Sequence, residues 1–154
     1  KSYCKTASLI ANSARAAGVL SGLPEHQLDA LYRFGRQLGL AFQVVDDILD
    51  FTGSDQQLGK PAASDLASGL LTAPALYALE ERPALAGLIE REFNQEGDLA
   101  QALELVRGSQ AIQRSRALAE GFANEAREAI DWLPSSESRS ALLALPEFVL
   151  SRLY

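Results

Sequence analysis

The sequence contains little of what several classes of protein require. Its 154 residues include one cysteine, Cys4, one histidine and no methionine. A single cysteine excludes an internal disulfide and a zinc site built from cysteines. Fourteen basic residues stand against twenty acidic ones, which gives a net charge of −6. Because nucleic-acid-binding proteins use an excess of basic residues to neutralise phosphates, we expect no nucleic-acid partner.

Long apolar runs are also absent. No run approaches the ~20 apolar residues that a membrane-spanning helix needs, so we expect no transmembrane segment. The first residues lack the charged, apolar and small-residue pattern of a secretion signal, and we therefore expect a cytoplasmic location. Because residue 1 is lysine rather than methionine, we expect residues 1–154 to be part of a longer protein.

Helical patterns run through nearly the whole sequence, without strand-like alternation or internal repeats. A first helix is expected from Tyr3 to Leu20, ended by Gly22 and Pro24. A second starts near Glu25, with apolar residues at spacings of three and four. Further helices are expected to begin near Ser64, at Ala73 behind the N-cap Thr72, near Pro83, near Leu99, at 109–132 and at 140–154. Because the connections are short, we predict an all-α fold, a helical bundle in one domain.

The second helix carries three acids in unusual surroundings. Asp46, Asp47 and Asp50 lie within about one turn of a segment, 39–51, whose other residues are mostly apolar. A helix that is apolar on all sides is normally buried, so we expect these carboxylates to be buried as well. Burying an unpaired carboxylate costs several kcal/mol. Carboxylate oxygens beside a diphosphate are ligands that Mg²⁺ accepts, and we interpret the cluster as a magnesium site.

A solvated acidic helix face is the alternative interpretation of these acids. Gln43 favours a ligand site instead, because it precedes Asp46 by three residues and its amide both donates and accepts hydrogen bonds. Lys5 and Lys60 add positive charge suited to a diphosphate.

Cys4 is expected to pack rather than react. Four arginines are expected to be solvated helix charges supported by Glu120, Glu125 and Glu128, namely Arg107, Arg114, Arg116 and Arg127.

Four segments then resemble the trans-type polyprenyl diphosphate synthases, and in particular the long-chain, solanesyl-type enzymes of photosynthetic lineages. They are residues 5–9, 42–50, 59–66 and 71–74, and the second of them resembles the family's second aspartate-rich motif. Residues 151–154 resemble the family's C-terminal end. The order and spacing of these segments are far more specific than the three acids alone.

The resemblance implies the all-α fold of the isoprenoid synthases, usually as a homodimer. It implies a reaction in which Mg²⁺ assists departure of an allylic diphosphate, the cation joins isopentenyl diphosphate, and a proton is lost. By position, Asp46 would bind Mg²⁺, with Asp47 and Asp50 completing the cluster directly or through water. In a photosynthetic eukaryote the location would be the plastid stroma.

The same resemblance assigns roles to five further residues. Lys5 and Lys60 would contact the allylic diphosphate. Thr6 and Gln43 would position and stabilise the allylic cation and receive or relay the proton. Phe42 would line the isopentenyl side.

The sequence departs from the family pattern in one respect. It lacks the first aspartate-rich motif, the arginine pair that follows this motif, and the upstream basic residues. We therefore expect residues 1–154 to form the C-terminal part of a polyprenyl synthase domain and to be inactive alone. Two alternatives stay open: a non-catalytic partner subunit of a heteromeric prenyl synthase, and a helical module that binds no ligand.

Overall fold

The computed structural model describes residues 2–53 and 63–154, and helices dominate both ranges. No strand occurs within them, which confirms the predicted all-α class. In chain order the elements are a π-helical turn at Tyr3–Ala7, α1 at Ser8–Leu20, α2 at Glu25–Thr52, α3 at Ser64–Ala67, α4 at Ala73–Glu81, α5 at Ala84–Glu90, α6 at Asp98–Arg107, α7 at Ala111–Ala129 and α8 at Glu137–Ser151. None of the described helices combines the length and the apolar character that crossing a bilayer requires.

One compact unit consists of Lys1–Val45 and Leu118–Tyr154. Its interior is made largely of small and aliphatic side chains, among them Ala7, Ala11, Leu38, Ala123, Ala126 and Ile130. Small residues let helix backbones approach closely, which matters for the position of Thr6.

The end of α1 shows why the predicted stop at Gly22 is correct. Gly22 has a φ of +70°, in the left-handed region where glycine carries no steric penalty. The amide of Leu23 donates to the carbonyl of Gly18 at 3.1 Å, and the amide of Gly22 donates to that of Val19 at 3.0 Å. These two bonds form a Schellman motif, which satisfies the last carbonyls of the helix.

A second compact unit consists of Asp46–Ala117. Within it α4, α5 and α6 contact one another around buried apolar side chains. The largest of these are Phe51, Leu66, Leu85, Leu88 and Val106. The prediction of a single domain is not tested by this division and stays a prediction.

The last helix begins earlier than predicted. The expected start was residue 140, but α8 begins at Glu137 behind Ser136. The hydroxyl of Ser136 accepts a hydrogen bond from the amide of Arg139 at 3.1 Å, so Ser136 is a true N-cap. Several serines lie close together before this helix, and the sequence alone did not show which of them is the N-cap.

The predicted partners of three arginines were wrong. Arg114 pairs with Glu80 of α4 at 2.7 Å, and Arg127 pairs with Glu147 of α8 at 2.8 Å. The Arg107 side chain donates from Nε to the carbonyl of Phe51 at 2.8 Å. Acids of the same helix are close in sequence, but helix packing brings other acceptors within reach of these long side chains.

Candidate active site

Two of the predicted site residues meet in the first unit. Thr6 lies in the π-helical turn and Gln43 lies on α2, 37 positions later. The Thr6 hydroxyl donates to Oε1 of Gln43 at 3.0 Å. Gln43 is only 4% exposed, so this bond helps satisfy a buried amide. Lys5 is next to Thr6 in the turn and its side chain is exposed.

The π-helical turn and α2 approach each other to backbone contact. A Cβ placed on Gly39 would lie 2.5 Å from Cα of Ala7. One turn earlier on α2, a Cβ on Gly35 would lie 2.6 Å from the carbonyl oxygen of Ile10. Both distances are far below van der Waals contact, so only glycine permits this approach.

Phe42 has a partner that the sequence did not reveal. The ring is 37% exposed, and the guanidinium carbon of Arg152 lies 4.9 Å from its centroid. This distance is that of a cation–π interaction. The contact joins the end of the chain to the position predicted to line the isopentenyl side.

The three acids differ in their surroundings. Asp47 is 5% exposed and Asp50 is 2% exposed, as expected. The expected burial of Asp46 was wrong, because its side chain is exposed. Asp46 lies four residues after the partly exposed Phe42, so these two share the outward edge of α2.

Asp50 accepts hydrogen bonds from the beginning of α3. Its Oδ1 accepts from the Ser64 hydroxyl at 3.0 Å, and its Oδ2 accepts from the amide of Asp65 at 3.1 Å. The carbonyl of Asp50 accepts from the amide of Ala63 at 2.8 Å. These donors help to satisfy the oxygens of the buried carboxylate.

A metal ion at these acids would need ligands from elsewhere. Within residues 2–53 and 63–154, no three His, Cys, Asp or Glu side chains are arranged to hold a metal ion. Mg²⁺ commonly takes one or two protein carboxylates and completes its shell with water and phosphate oxygens. An all-carboxylate donor set fits such an ion, provided that a diphosphate supplies part of the coordination. Lys60, the other predicted diphosphate ligand, lies outside the described residues.

The π-helical turn also contains Tyr3 and Cys4. Cys4 is exposed, so the expectation that it packs was wrong. The hydroxyl of Tyr3 lies 2.5 Å from that of Tyr32, and this hydrogen bond raises the pKa of Tyr3.

Comparison with known proteins decides the family. The model of the family described as "Polyprenyl synthetase" matches residues 1–106, about two thirds of the chain. The chain belongs to the polyprenyl synthetase family. This confirms the resemblance found in the four sequence segments, including the all-α isoprenoid synthase fold.

Individual members of the polyprenyl synthetase family are similar along nearly the whole chain. A prenyl transferase of Synechocystis sp. is 60% identical over 154 residues, which are 100% of this chain and 48% of that protein. The chloroplastic solanesyl-diphosphate synthase 2 of Oryza sativa is 48% identical over 99% of this chain and 38% of its own length. The chain therefore spans half or less of the length of these relatives.

A solved structure shows the same fold. A polyprenyl synthase from Caulobacter crescentus, crystallised with calcium and isoprenyl diphosphate, has a TM-score of 0.86 and 37% sequence identity. The match covers 97% of this chain and 47% of that one.

Sequence reasoning missed three residues at the candidate site. Gly39 entered the sequence analysis only as the first residue of the segment 39–51, although two glycines four residues apart, Gly35 and Gly39, are a signal of close helix packing. Ser64 belongs to the segment 59–66 that resembles the family, but the sequence analysis assigned it no role. Arg152 had no signal except the likeness of residues 151–154 to the family's C-terminal end.

Proposed function

We propose that the full-length protein is a Mg²⁺-dependent trans-polyprenyl diphosphate synthase. It condenses isopentenyl diphosphate with an allylic diphosphate to form a long-chain polyprenyl diphosphate. The observation that carries the proposal is 60% identity, over all 154 residues, to a protein named prenyl transferase. The bond between Thr6 and Gln43 supports it, because two residues with proposed roles at the same cation are in contact.

Lys5 and Lys60 bind the diphosphate of the allylic substrate in this proposal. The exposed side chain of Lys5 supports its role, since an ammonium group in solvent can reach a phosphate without prior rearrangement. A lysine neutralises a phosphate oxygen as a compact point charge. This neutralisation favours departure of the diphosphate.

Thr6 and Gln43 position the allylic carbon chain and stabilise the cation that forms on it. Their oxygens carry partial negative charge, and a buried, preorganised dipole stabilises a developing charge better than mobile water does. The Thr6 hydroxyl and the Gln43 amide also receive or relay the proton lost at the end of the reaction. Phe42, held by Arg152, lines the isopentenyl side.

Asp46 holds Mg²⁺, and Asp47 and Asp50 complete the acidic cluster directly or through water. Bound Mg²⁺ supplies charge neutralisation for the departing diphosphate. The exposure of Asp46 supports its assignment as the direct ligand, since an ion and its diphosphate arrive from solvent. The related Caulobacter crescentus structure, with calcium and isoprenyl diphosphate, supports a divalent ion beside such a substrate.

The remaining assignments concern the whole protein. Residues 1–154 are proposed to be the C-terminal part of a polyprenyl synthase domain that works as a homodimer. The proposed location is the cytoplasm, or the plastid stroma in a photosynthetic eukaryote. The name of the rice relative, which describes it as chloroplastic, supports a plastid location.

Calorimetry on the full-length protein tests the metal site. Mg²⁺ is titrated in the presence of inorganic pyrophosphate into wild type, Asp46→Asn and Asp29→Asn. Asp46→Asn is expected to weaken binding about tenfold or more, a loss of about 1.4 kcal/mol, because the ion loses an anionic ligand. Asp29→Asn is the matched control, since Asp29 is an exposed carboxylate on the same helix, and it pairs with Arg15 of α1. Equal binding by both variants would contradict the assignment of Asp46.

A prenyl-transfer assay then separates the alternatives. The synthase proposal predicts a polyprenyl diphosphate product from allylic and isopentenyl diphosphates with Mg²⁺. A partner subunit would bind Mg²⁺ and pyrophosphate without turnover alone, and would gain turnover only with a second subunit. A helical module without a ligand would do neither.

A further inference from the structure

We propose that Gly39 is a positioning residue: the absence of a side chain there sets the distance at which Thr6 meets Gln43. The inference rests on the proposed function, because it concerns the pair assigned to the allylic cation. Thr6, Ala7, Gly39 and Gln43 all belong to the unit Lys1–Val45 with Leu118–Tyr154.

The first step is the contact between Gly39 and Ala7. A Cβ on residue 39 would lie 2.5 Å from Cα, 2.9 Å from Cβ and 3.3 Å from N of Ala7. Carbon atoms in contact prefer separations of about 3.5–4.0 Å. The nearest atom belongs to the backbone, so no rotamer change relieves the collision. The two backbones would have to separate by about 1 Å.

The second step is the transmission of this movement to Thr6. Ala7 follows Thr6 directly, within a turn closed by a bond from the amide of Ser8 to the carbonyl of Tyr3. This bond spans five residues, so the turn has the wider π-helical geometry, which is frequent at functional sites. A separation at Ala7 therefore carries Thr6 with it.

The third step is the effect on the hydrogen bond. Gly39 precedes Gln43 by four residues, so both are on the same face of α2. The Thr6 hydroxyl and Gln43 Oε1 are 3.0 Å apart, and an increase of about 1 Å exceeds the range of a hydrogen bond. The Gln43 amide would then lose its hydrogen bond with Thr6, although the helix carrying it remains intact.

The chain offers a matched control at Gly35. A Cβ there would lie 2.6 Å from the carbonyl oxygen of Ile10 and 2.8 Å from Cα of Ala11, so the crowding is comparable. The crowded atoms belong to α1 rather than to the π-helical turn. Gly35→Ala therefore tests the general cost of separating these elements, whereas Gly39→Ala also displaces Thr6.

The kinetic test is a double-mutant cycle in the full-length protein with Gly39→Ala and Thr6→Val. Each single variant is expected to lower kcat about tenfold or more, because small misplacements at a reacting centre are costly. The double variant is expected to be no slower than the slower single variant, since both remove the same hydrogen bond. Thr6→Ser retains the hydroxyl and should recover most of the rate. Single effects that multiply, or an equal loss in Gly35→Ala, would overturn the proposal.

A spectroscopic test separates this inference from the proposed function. In protein labelled with ¹⁵N-glutamine, the side-chain amide signals of Gln43 report its hydrogen bond without any turnover. Gly39→Ala and Thr6→Val are expected to shift these signals, while Gly35→Ala leaves them in place. Absence of product from wild type would contradict the proposed function only. Unshifted Gln43 signals in Gly39→Ala would contradict the inference only.

A second pair of variants applies where Gly39→Ala does not yield folded protein. Ala7→Ser adds one atom on the other side of the same contact, and Ala11→Ser adds one atom at the contact with Gly35. Both alanines are fully buried, so the two variants are comparable. Ala7→Ser is expected to shift the Gln43 signals and Ala11→Ser is not. The reverse pattern, or no shift in either, would overturn the proposal.

Discussion

Two buried carboxylates accept hydrogen bonds from residues outside their own helices. Asp98 is 3% exposed, and Arg91 donates to both of its oxygens, at 2.8 and 2.6 Å. Asp50 is 2% exposed and accepts hydrogen bonds from the Ser64 hydroxyl and the Asp65 amide. A bidentate arginine neutralises the charge as well as satisfying the lone pairs. Asp98 is thus a structural residue.

The pair formed by Asp98 and Arg91 predicts a dependence of stability on pH. The hydrogen bonds from Arg91 hold the pKa of Asp98 below its ordinary value. In the unfolded chain an aspartate carboxyl has a pKa of about 3.9. The pair therefore stabilises the fold above that pH, and this contribution is lost as the pH falls through the lower folded-state pKa. The unfolding free energy of wild type should decrease as acid is added below about pH 4.

Urea unfolding at several pH values checks this expectation. The free energy of unfolding of Asp98→Asn should be lower than that of wild type at neutral pH. It should also decrease less than that of wild type as acid is added. The control is Glu96→Gln, because Glu96 is an exposed carboxylate two residues away. Identical pH profiles for wild type and Asp98→Asn would show that the pair does not contribute.

At the scale of whole elements, two helix starts with good N-cap residues behave differently. Ser136 accepts a hydrogen bond from an amide in the first turn of α8. Thr72 occupies the N-cap position of α4, as predicted, but its buried hydroxyl has no hydrogen-bond partner among residues 2–53 and 63–154. Pro74 is the second residue of α4 and has no amide hydrogen to donate. A hydroxyl side chain at the N-cap position is therefore hydrogen-bonded at the start of α8, but not at the start of α4 within the described residues.

Substitution of the two caps should give unequal results. Ser136→Ala is expected to lower the free energy of unfolding by about 1 kcal/mol, the usual value of a lost N-cap. Thr72→Val keeps the shape of the side chain and removes an unsatisfied hydroxyl, so a change within about 0.5 kcal/mol, or a gain in stability, is expected. Ser135→Ala, at an exposed neighbouring serine, is the control for Ser136. A loss of about 1 kcal/mol or more in Thr72→Val would mean that its hydroxyl is bonded in solution.

At the scale of the whole molecule, the relevant quantity is the share of its relatives' length that this chain covers. The chain spans 48% of the Synechocystis sp. relative and 38% of the rice relative. No described group of three acidic or metal-binding side chains forms a metal site by itself. By the family resemblance, the proposed synthase reaction also uses a first aspartate-rich motif, which residues 1–154 do not contain.

The 154-residue chain alone is therefore expected to show no detectable prenyl transfer. The comparison is with the full-length protein at equal concentration, with the same two diphosphates and Mg²⁺. Far-ultraviolet circular dichroism of the isolated chain establishes that it is helical, so that loss of activity is not mistaken for loss of folding. Turnover by the isolated chain at the full-length rate would contradict this expectation.

The sequence by itself determined the helical class, most helix starts and stops, and the family. These properties depend on residues that are close along the chain, such as Gly22 at the end of α1 or Pro83 before α5, or on the order of short motifs. Local patterns also located Asp46, Asp47 and Asp50 on one stretch of α2, yet they did not distinguish the exposed acid from the two buried ones.

Only the tertiary structure decided the contacts on which the site depends. Thr6 and Gln43 are 37 positions apart, and their distance follows from the backbone approach at Gly39. The pairing of Arg152 with Phe42 is likewise a contact between distant parts of the chain. Spacing along a helix fixes which residues share a face, but the packing of separate helices fixes which atoms come within hydrogen-bonding distance.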